Sequence, residues 1–266
     1  GDVQGHGTHC AGTVFGRDGN GLRIGVAPGV TEAFIGKVLG DTGGGGSEML
    51  FSGIEWASSN DCQVISMSLG FDFPGMVDQM VKQGFPAKLA ASAALEGYRM
   101  NIRMFDRLMG VVNARAAFNG GSVGVAASGN ESERGTHPNF EVGTSVPAAA
   151  EGIVSVGAVG EGPSGLPVAD FSNTGPMLTG PGVDVISAKT GGGLVSFNGT
   201  SMATPHVAGL AALWWQRMGQ MGIPVPANGV VARLTAGAVT DVFAPGVDML
   251  DRGVGLAKAP APVGMS

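Results

Sequence analysis

The chain carries little charge, few cysteines and no long apolar run. Charged residues make up 14% of its 266 residues, and the net charge is −6. No basic stripe stands out, which argues against a nucleic-acid partner and against docking on an anionic membrane surface. No stretch of about 18 apolar residues occurs, so nothing reads as a membrane span. The two cysteines, Cys10 and Cys62, read as free buried thiols, with a disulfide between them as the alternative. The Gly43–Gly46 run is a loop that lacks the Gly-Lys-Ser/Thr ending of a phosphate cradle. No Gly-x-Ser-x-Gly elbow surrounds Ser201, which argues against a lipase-type α/β hydrolase. No internal repeat appears.

Glycine, by contrast, is abundant. Its 48 residues beside a 44% hydrophobic content suit a loop-rich α/β enzyme rather than a disordered chain. A chain of this length can bury a sizeable core as one domain or two, and motifs from residue 6 to residue 255 favour one. Apolar β-rich runs alternate with helical stretches, the pattern of a parallel sheet covered on both faces. Strands are expected at Ala33–Val38, Val64–Ser68, Ser122–Ser128, Ile153–Val159 and Val183–Ser187. Helices are expected at His6–Phe15, Ser47–Ser59, Ala203–Met218 and Gly229–Ala236. Apolar positions at Leu89, Leu95, Met104, Leu108, Val111 and Val112, with charges between, predict a long amphipathic helix within 87–118, broken near Gly97. That helix belongs to an insertion at about 71–121. It either covers the sheet from outside or binds a partner. The Pro- and Ala-rich tail from Ala257 is expected to fray.

The chemistry concentrates in Gly199-Thr200-Ser201-Met202-Ala203-Thr204-Pro205-His206. A Gly-led turn delivers Ser201 to the start of a helix, where backbone N–H groups are unpaired and the dipole is positive. Such a place stabilises negative charge on a carbonyl oxygen, as acyl transfer requires. A serine needs a base, and the chain offers His6 in Gly5-His6-Gly7-Thr8-His9-Cys10-Ala11-Gly12-Thr13. The two segments resemble the serine and histidine motifs of the subtilisin-like serine peptidases. Ala126-Ala127-Ser128-Gly129-Asn130-Glu131 is similar to that family's oxyanion-hole segment. Gly25-Val26-Ala27-Pro28, Lys37-Val38-Leu39-Gly40 and Ile65-Ser66-Met67-Ser68-Leu69-Gly70 also match, in the family's order. Cys10 in the histidine motif is similar to the proteinase K branch.

The resemblance implies an α/β, subtilisin-like three-layer sandwich with a mostly parallel central sheet. Residues 1–262 would form the peptidase domain, with residues 263–266 as a frayed tail. It implies a serine endopeptidase in which Ser201 attacks, His6 shuttles the proton and Asn130 donates to the oxyanion. The alternative is a subtilase-fold fragment that binds peptides without cutting them. The family's triad runs Asp, His, Ser along the chain, and Asp2 is the only acid before His6. Asp2 is either the triad acid or part of the loop leading into the histidine helix. The second reading implies that the first strand or strands, with the catalytic Asp, are missing from the sequence, and that the chain as given is weakly active or inactive.

By the same resemblance, Ser68, Leu69 and Gly70 form one edge of the substrate cleft and Gly43, Gly44 and Gly45 the other, with a peptide lying between them as an added strand. Ser47 leaves the outer apolar pocket open. Ala127, Gly129, Thr144 and Ser145 form a primary pocket for a medium or large apolar side chain, and Glu131 at its rim could admit Lys or Arg. The Val146–Pro147 bond is expected to be cis. No cofactor is required. Asp18-Gly19-Asn20-Gly21 is either a calcium loop or a plain turn. His9 and His6 stand three apart on one helix face, but no third ligand of matching spacing makes them a zinc pair. His9, His137 and His206 read as structural. Polypeptides are the implied partners, without nucleic acid or membrane, and a secreted location is the family's lean.

Overall fold

The computed structural model describes residues 1–19, 21–222 and 225–261. Four strands form a parallel sheet in the order β1 (Val64–Met67), β2 (Val123–Ala127), β3 (Ile153–Val159), β4 (Leu178–Pro181). Register runs Ile65 to Gly124, Val125 to Val154 and Val156 to Leu178. β2 and β3 are buried along their whole length, as strands covered on both faces must be. Alternation along them sorts the core. Val123, Val125, Val154, Val156 and Ala158 face one cluster with Ala203, Val207, Ala211, Val230 and Leu234. Ala126 and Ile153 face a second cluster with Ile65, Met67, Leu50, Ile54, Phe105 and Met109.

The first face is covered by α6 (Thr200–Gln220) and α7 (Ala227–Ala236), with α1 (His6–Phe15) packed along α6. The second is covered by α2 (Ser47–Ser59) and α4 (Ala87–Ala114). A hairpin of β5 (Val185–Ala188) and β6 (Leu194–Phe197) lies against α1. Three short helices complete the chain: α3 (Phe73–Lys82), α5 (Ala116–Asn119) and α8 (Met249–Arg252).

Several expectations change. Residues 33–38 form no strand among the described residues, and Phe34 and Ile35 are 42% and 71% exposed. A strand exists only with a partner, and β1 ends the sheet without pairing to this segment. The long helix passes unbroken through Gly97 and stops at Arg115. Glycine's helix penalty of about 1 kcal/mol is too small to break a helix anchored by the buried Ala90, Ala94, Phe105 and Met109. The insertion contains a second helix, α3, whose start is capped by Asp72 accepting from Gly75 N. Strands β4 and β6 are additional to those read from the sequence. The tail does not fray at Ala257, whose N–H donates to Thr179 O at 3.1 Å. Trp214 Nε1 likewise donates to Lys258 O at 3.0 Å. Residues 262–266 lie outside the described residues. Both thiols are free and half-buried, and Val146–Pro147 is cis.

Candidate active site

The parallel sheet fixes where the chemistry gathers. The segments that leave the C-terminal ends of β1 and β2 carry Ser68–Gly70 and Ser128–Glu131, and the N-terminus of α6 comes up against both. Ser201 is the second residue of α6, so its N–H lies before the intrahelical ladder begins. Among the described residues that N–H has no hydrogen-bond partner. Asn130 Oδ1 accepts from Thr200 N at 2.8 Å and from Thr200 Oγ1 at 3.0 Å. A backbone N–H can only donate, so the oxygen of the amide must face Thr200. The Asn130 side-chain NH₂ is left without a protein acceptor among the described residues, on an exposed residue. Thr200 Oγ1 in turn accepts from Gly129 N at 3.2 Å.

Beneath this loop sits Asn173, fully buried. Its Oδ1 accepts from Glu131 N at 3.0 Å, Ser132 N at 3.1 Å and Ser132 Oγ at 3.3 Å. Its Nδ2 donates to Glu131 Oε2 at 2.5 Å and Gly143 O at 3.2 Å. Gly129 has φ +112°, and a Cβ there would stand 2.2 Å from Asn173 Nδ2, so only glycine fits the turn. Glu131 also accepts from Asn130 N at 3.0 Å. Partial burial pushes its carboxyl above the usual range, against the lowering effect of the Asn173 and Asn130 donors. Its carboxylate is thus turned into the loop's own hydrogen bonds, rather than spread at the rim of a pocket.

The residues expected to line the primary pocket lie close together. Ser145 N donates to Ser128 O at 2.8 Å. A Cβ on Gly70 would lie 2.5 Å from Ser145 Oγ, so the Ser68–Gly70 edge and the Ser145 wall touch. Ala127 and Ser145 are buried and small. The helical insertion also reaches this wall, because Tyr98 on α4 donates its hydroxyl to Thr144 O at 2.8 Å. On the opposite side, Gly43 turns with φ +85°, and Gly40 N donates to Gly44 O at 2.8 Å. Gln4, two residues before His6, donates to Asp41 O at 2.8 Å, which ties the Gly43–Gly45 turn to the histidine helix.

His6 opens α1. Burial lowers its pKa below the ordinary 6.5, the negative charge of Asp2 opposes that, and His9 adds to it. No side chain among the described residues hydrogen-bonds the His6 ring. Asp2 is occupied elsewhere: its carboxylate accepts from Gly5 N at 2.9 Å, Thr8 N at 2.7 Å and Thr8 Oγ1 at 2.7 Å. The Thr8 bonds chiefly hold its pKa down at about 2. Asp2 is a cap on the first turn of α1, as a loop acid before that helix would be. No Ser201–His6 hydrogen bond occurs in the structure, where the Ser201 hydroxyl donates to Ser68 O at 3.4 Å.

The remaining histidines are structural. His9 is buried, contacts Val185 O through Nε2 at 2.9 Å and stacks on Phe197 at 4.7 Å. His206 Nδ1 lies 2.8 Å from Met202 O, and His137 Nδ1 accepts from Asn139 N at 3.1 Å. In the 18–21 loop, Gly19 and Leu22 exchange backbone hydrogen bonds at 2.9 Å, and Asn20 lies outside the described residues. Sequence reasoning missed Asn173, Thr200 and Tyr98 as supports of the site. An Asn followed by Thr-Gly reads as an ordinary turn, and only the fold brings it under Gly129.

Comparison with known proteins places this arrangement. A family model described as the subtilase family matches residues 1–251. Subtilisin DY of Bacillus licheniformis is 37% identical over 214 residues, covering 80% of this chain and 64% of that protein. Subtilisin E of Bacillus subtilis is also 37% identical over 214 residues, with 80% and 46% covered. The chain therefore spans between about half and two thirds of these curated relatives' length. Among solved structures, sphericase superposes with a TM-score of 0.70 at 26% identity, covering 97% of this chain and 79% of that one. A psychrophilic protease, S41, gives 0.69 at 27% identity, with 97% and 78% covered.

Proposed function

The chain belongs to the subtilase family, and from that premise we propose that it is a serine endopeptidase working through an acyl-enzyme. The observation that carries the reading is the fixed Asn130 amide beside the unpaired Ser201 N–H. Two donors so placed are pre-organised for an oxyanion and need no rearrangement as charge develops. Ser201 Oγ attacks the peptide carbonyl while His6 takes its proton. The tetrahedral oxyanion rests on Ser201 N–H and Asn130 Nδ2. Collapse expels the amine, which takes the proton back from His6, and water then repeats the sequence on the ester. Burial that lowers the His6 pKa keeps the imidazole neutral, and so able to accept, at neutral pH. The peptide lies between Ser68–Gly70 and Gly43–Gly45 as an added strand. Its primary side chain sits against Ala127, Gly129 and Ser145, a small-walled pocket suited to apolar residues.

One member of the triad is not supplied by Asp2, whose carboxylate caps α1. The reading therefore needs an acid on the His6 ring that Asp2 does not supply. Without that acid the imidazolium has no partner. In subtilisin its loss costs about 3 × 10⁴ in kcat. The alternative, a peptide binder that does not cut, shares the cleft but not the chemistry. A fluorophosphonate probe with mass spectrometry separates the two. Covalent labelling confined to Ser201 and abolished by Ser201→Ala is expected. Saturable peptide binding with no labelling and no hydrolysis, even when the chain is extended upstream, would favour the binder.

A further inference from the structure

The nucleophile's own carbonyl is an anomaly of α6. In a helix the C=O of residue i accepts from the N–H of residue i+4. For Ser201 that residue is Pro205, which has no N–H, and whose ring crowds the carbonyl four residues before it. Ser201 O is thus deprived of its helical partner and pressed off the ladder. It is not left bare. Ser68 Oγ donates to it at 2.8 Å and Cys10 Sγ donates at 3.4 Å. The Ser201 hydroxyl donates back to Ser68 O at 3.4 Å, so the two serines clasp each other reciprocally.

Both substitute donors come from elements that carry the rest of the site. Ser68 follows β1 and opens the substrate edge. Cys10 lies one turn along α1 from His6. We propose that Ser68 and Cys10 are positioning residues, which replace the hydrogen bond removed by Pro205 and so fix Ser201 relative to both the substrate edge and the histidine helix. This rests on the peptidase reading above. The thiol is suited to the role because burial, partly offset by contact with Ser68, pushes its pKa up to about 11. It stays S–H, a weak donor, through neutral pH. Ser68 is the stronger partner by distance and by donor type.

An unfolding cycle tests the clasp, and a labelling rate tests what it does. In the Pro205 background, Ser68→Ala is expected to lower the urea midpoint. Pro205→Ala returns an N–H to Ser201 O, and in that background Ser68→Ala should lose most of its effect. Equal destabilisation in the two backgrounds overturns the clasp. For positioning, Ser68→Ala should slow fluorophosphonate labelling of Ser201 by about ten- to hundredfold. Its KM for a peptide amide should be unchanged, because the backbone of the substrate edge remains. Ser68→Thr should restore the rate, and Cys10→Ala should slow it less than Ser68→Ala does. Labelling of Ser68→Ala as fast as wild type overturns the positioning role even where the unfolding cycle shows coupling. Failure of the peptidase reading looks different: wild type itself would remain unlabelled, and the unfolding cycle would still decide the clasp.

Discussion

The two halves of the site are held in different ways. The serine half is fastened from several elements at once: Asn173 beneath, Thr200 beside, Ser68 across the cleft. Each tie joins residues far apart in sequence, such as Asn173 to Glu131 and Ser68 to Ser201. In the histidine half, α1 is anchored at long range through His9 and Cys10, but its first turn, where His6 sits, is held by side-chain bonds from a near neighbour, with Asp2 bonding Gly5 and Thr8. Around it, residues 31–37 are exposed and β1 ends the sheet. The contrast shows where pre-organisation resides. On the proposed reading the oxyanion side needs fixed dipoles in a fixed place, and the Thr200 bonds hold the Asn130 amide there. The His6 ring opens α1 but has no side-chain hydrogen-bond partner among the described residues.

Removing the donor at the centre of the well-held half should have the largest effect. Asn130→Ala keeps the fold of β2 but deletes one oxyanion donor. The expected loss is about 10² to 10³ in kcat, some 3–4 kcal/mol of transition-state stabilisation, with KM little changed. Steady-state kinetics on one peptide amide, in a form of the enzyme that turns over, measures it. A large rise in KM with kcat preserved would mean that Asn130 binds substrate rather than the oxyanion.

The segments carrying Ser201, His6 and Asn130 stood out in the sequence because they are short local patterns, and the fold brings the Ser201 and Asn130 segments together. The limits of α1 and α2 also match the expected ranges, and in α2 the buried Leu50, Ile54 and Ala57 recur at helical spacing. What escaped depends on tertiary contact. Ala33–Val38 has a strand's composition but no pairing partner among the described residues. β4 contains Gly180 and Pro181, which local rules count against a strand. Pro181 sits at the strand's end, and a Cβ on Gly180 would lie 3.0 Å from Ala203 O, so glycine lets α6 pack closely on the sheet. Asn173 carries no local sign of its task.

Asn173→Ala sharpens the comparison from below. It strips the acceptor from Ser132 N and Ser132 Oγ in a buried setting, and the acceptor from Glu131 N and the donor from Glu131 Oε2 in a part-buried one. An unsatisfied buried group costs about 1–3 kcal/mol. Water entering the space left by the side chain recovers part of this, so about 3 kcal/mol of lost stability is expected in urea unfolding. Activity should fall as well, since the Gly129–Glu131 turn carries the oxyanion donor. A variant as stable as wild type would show that the loop is held by its backbone alone.

The smallest effect is expected in the histidine half, where Asp2→Asn tests whether a local cap is all that holds it. Loss of a helix cap costs about 1 kcal/mol, and Asn retains part of the capping geometry, so the change at neutral pH should lie at or below that. Its pH dependence is more telling. Asp2 titrates at about 2 in the fold against an ordinary 3.8. A depressed carboxylate stabilises the fold fully above its unfolded pKa and loses that contribution as pH falls through the folded value. The gap between wild type and Asp2→Asn should therefore be constant above about pH 5 and close between about pH 4 and pH 2. The same substitution removes the negative charge that raises the His6 pKa. The imidazole should then titrate at lower pH in Asp2→Asn than in wild type, read from its NMR resonance. An unmoved His6 would mean that Asp2 holds the helix without being felt by the base. A His6 pKa lowered by several units would mean the reverse, that Asp2 carries a share of a triad acid's work.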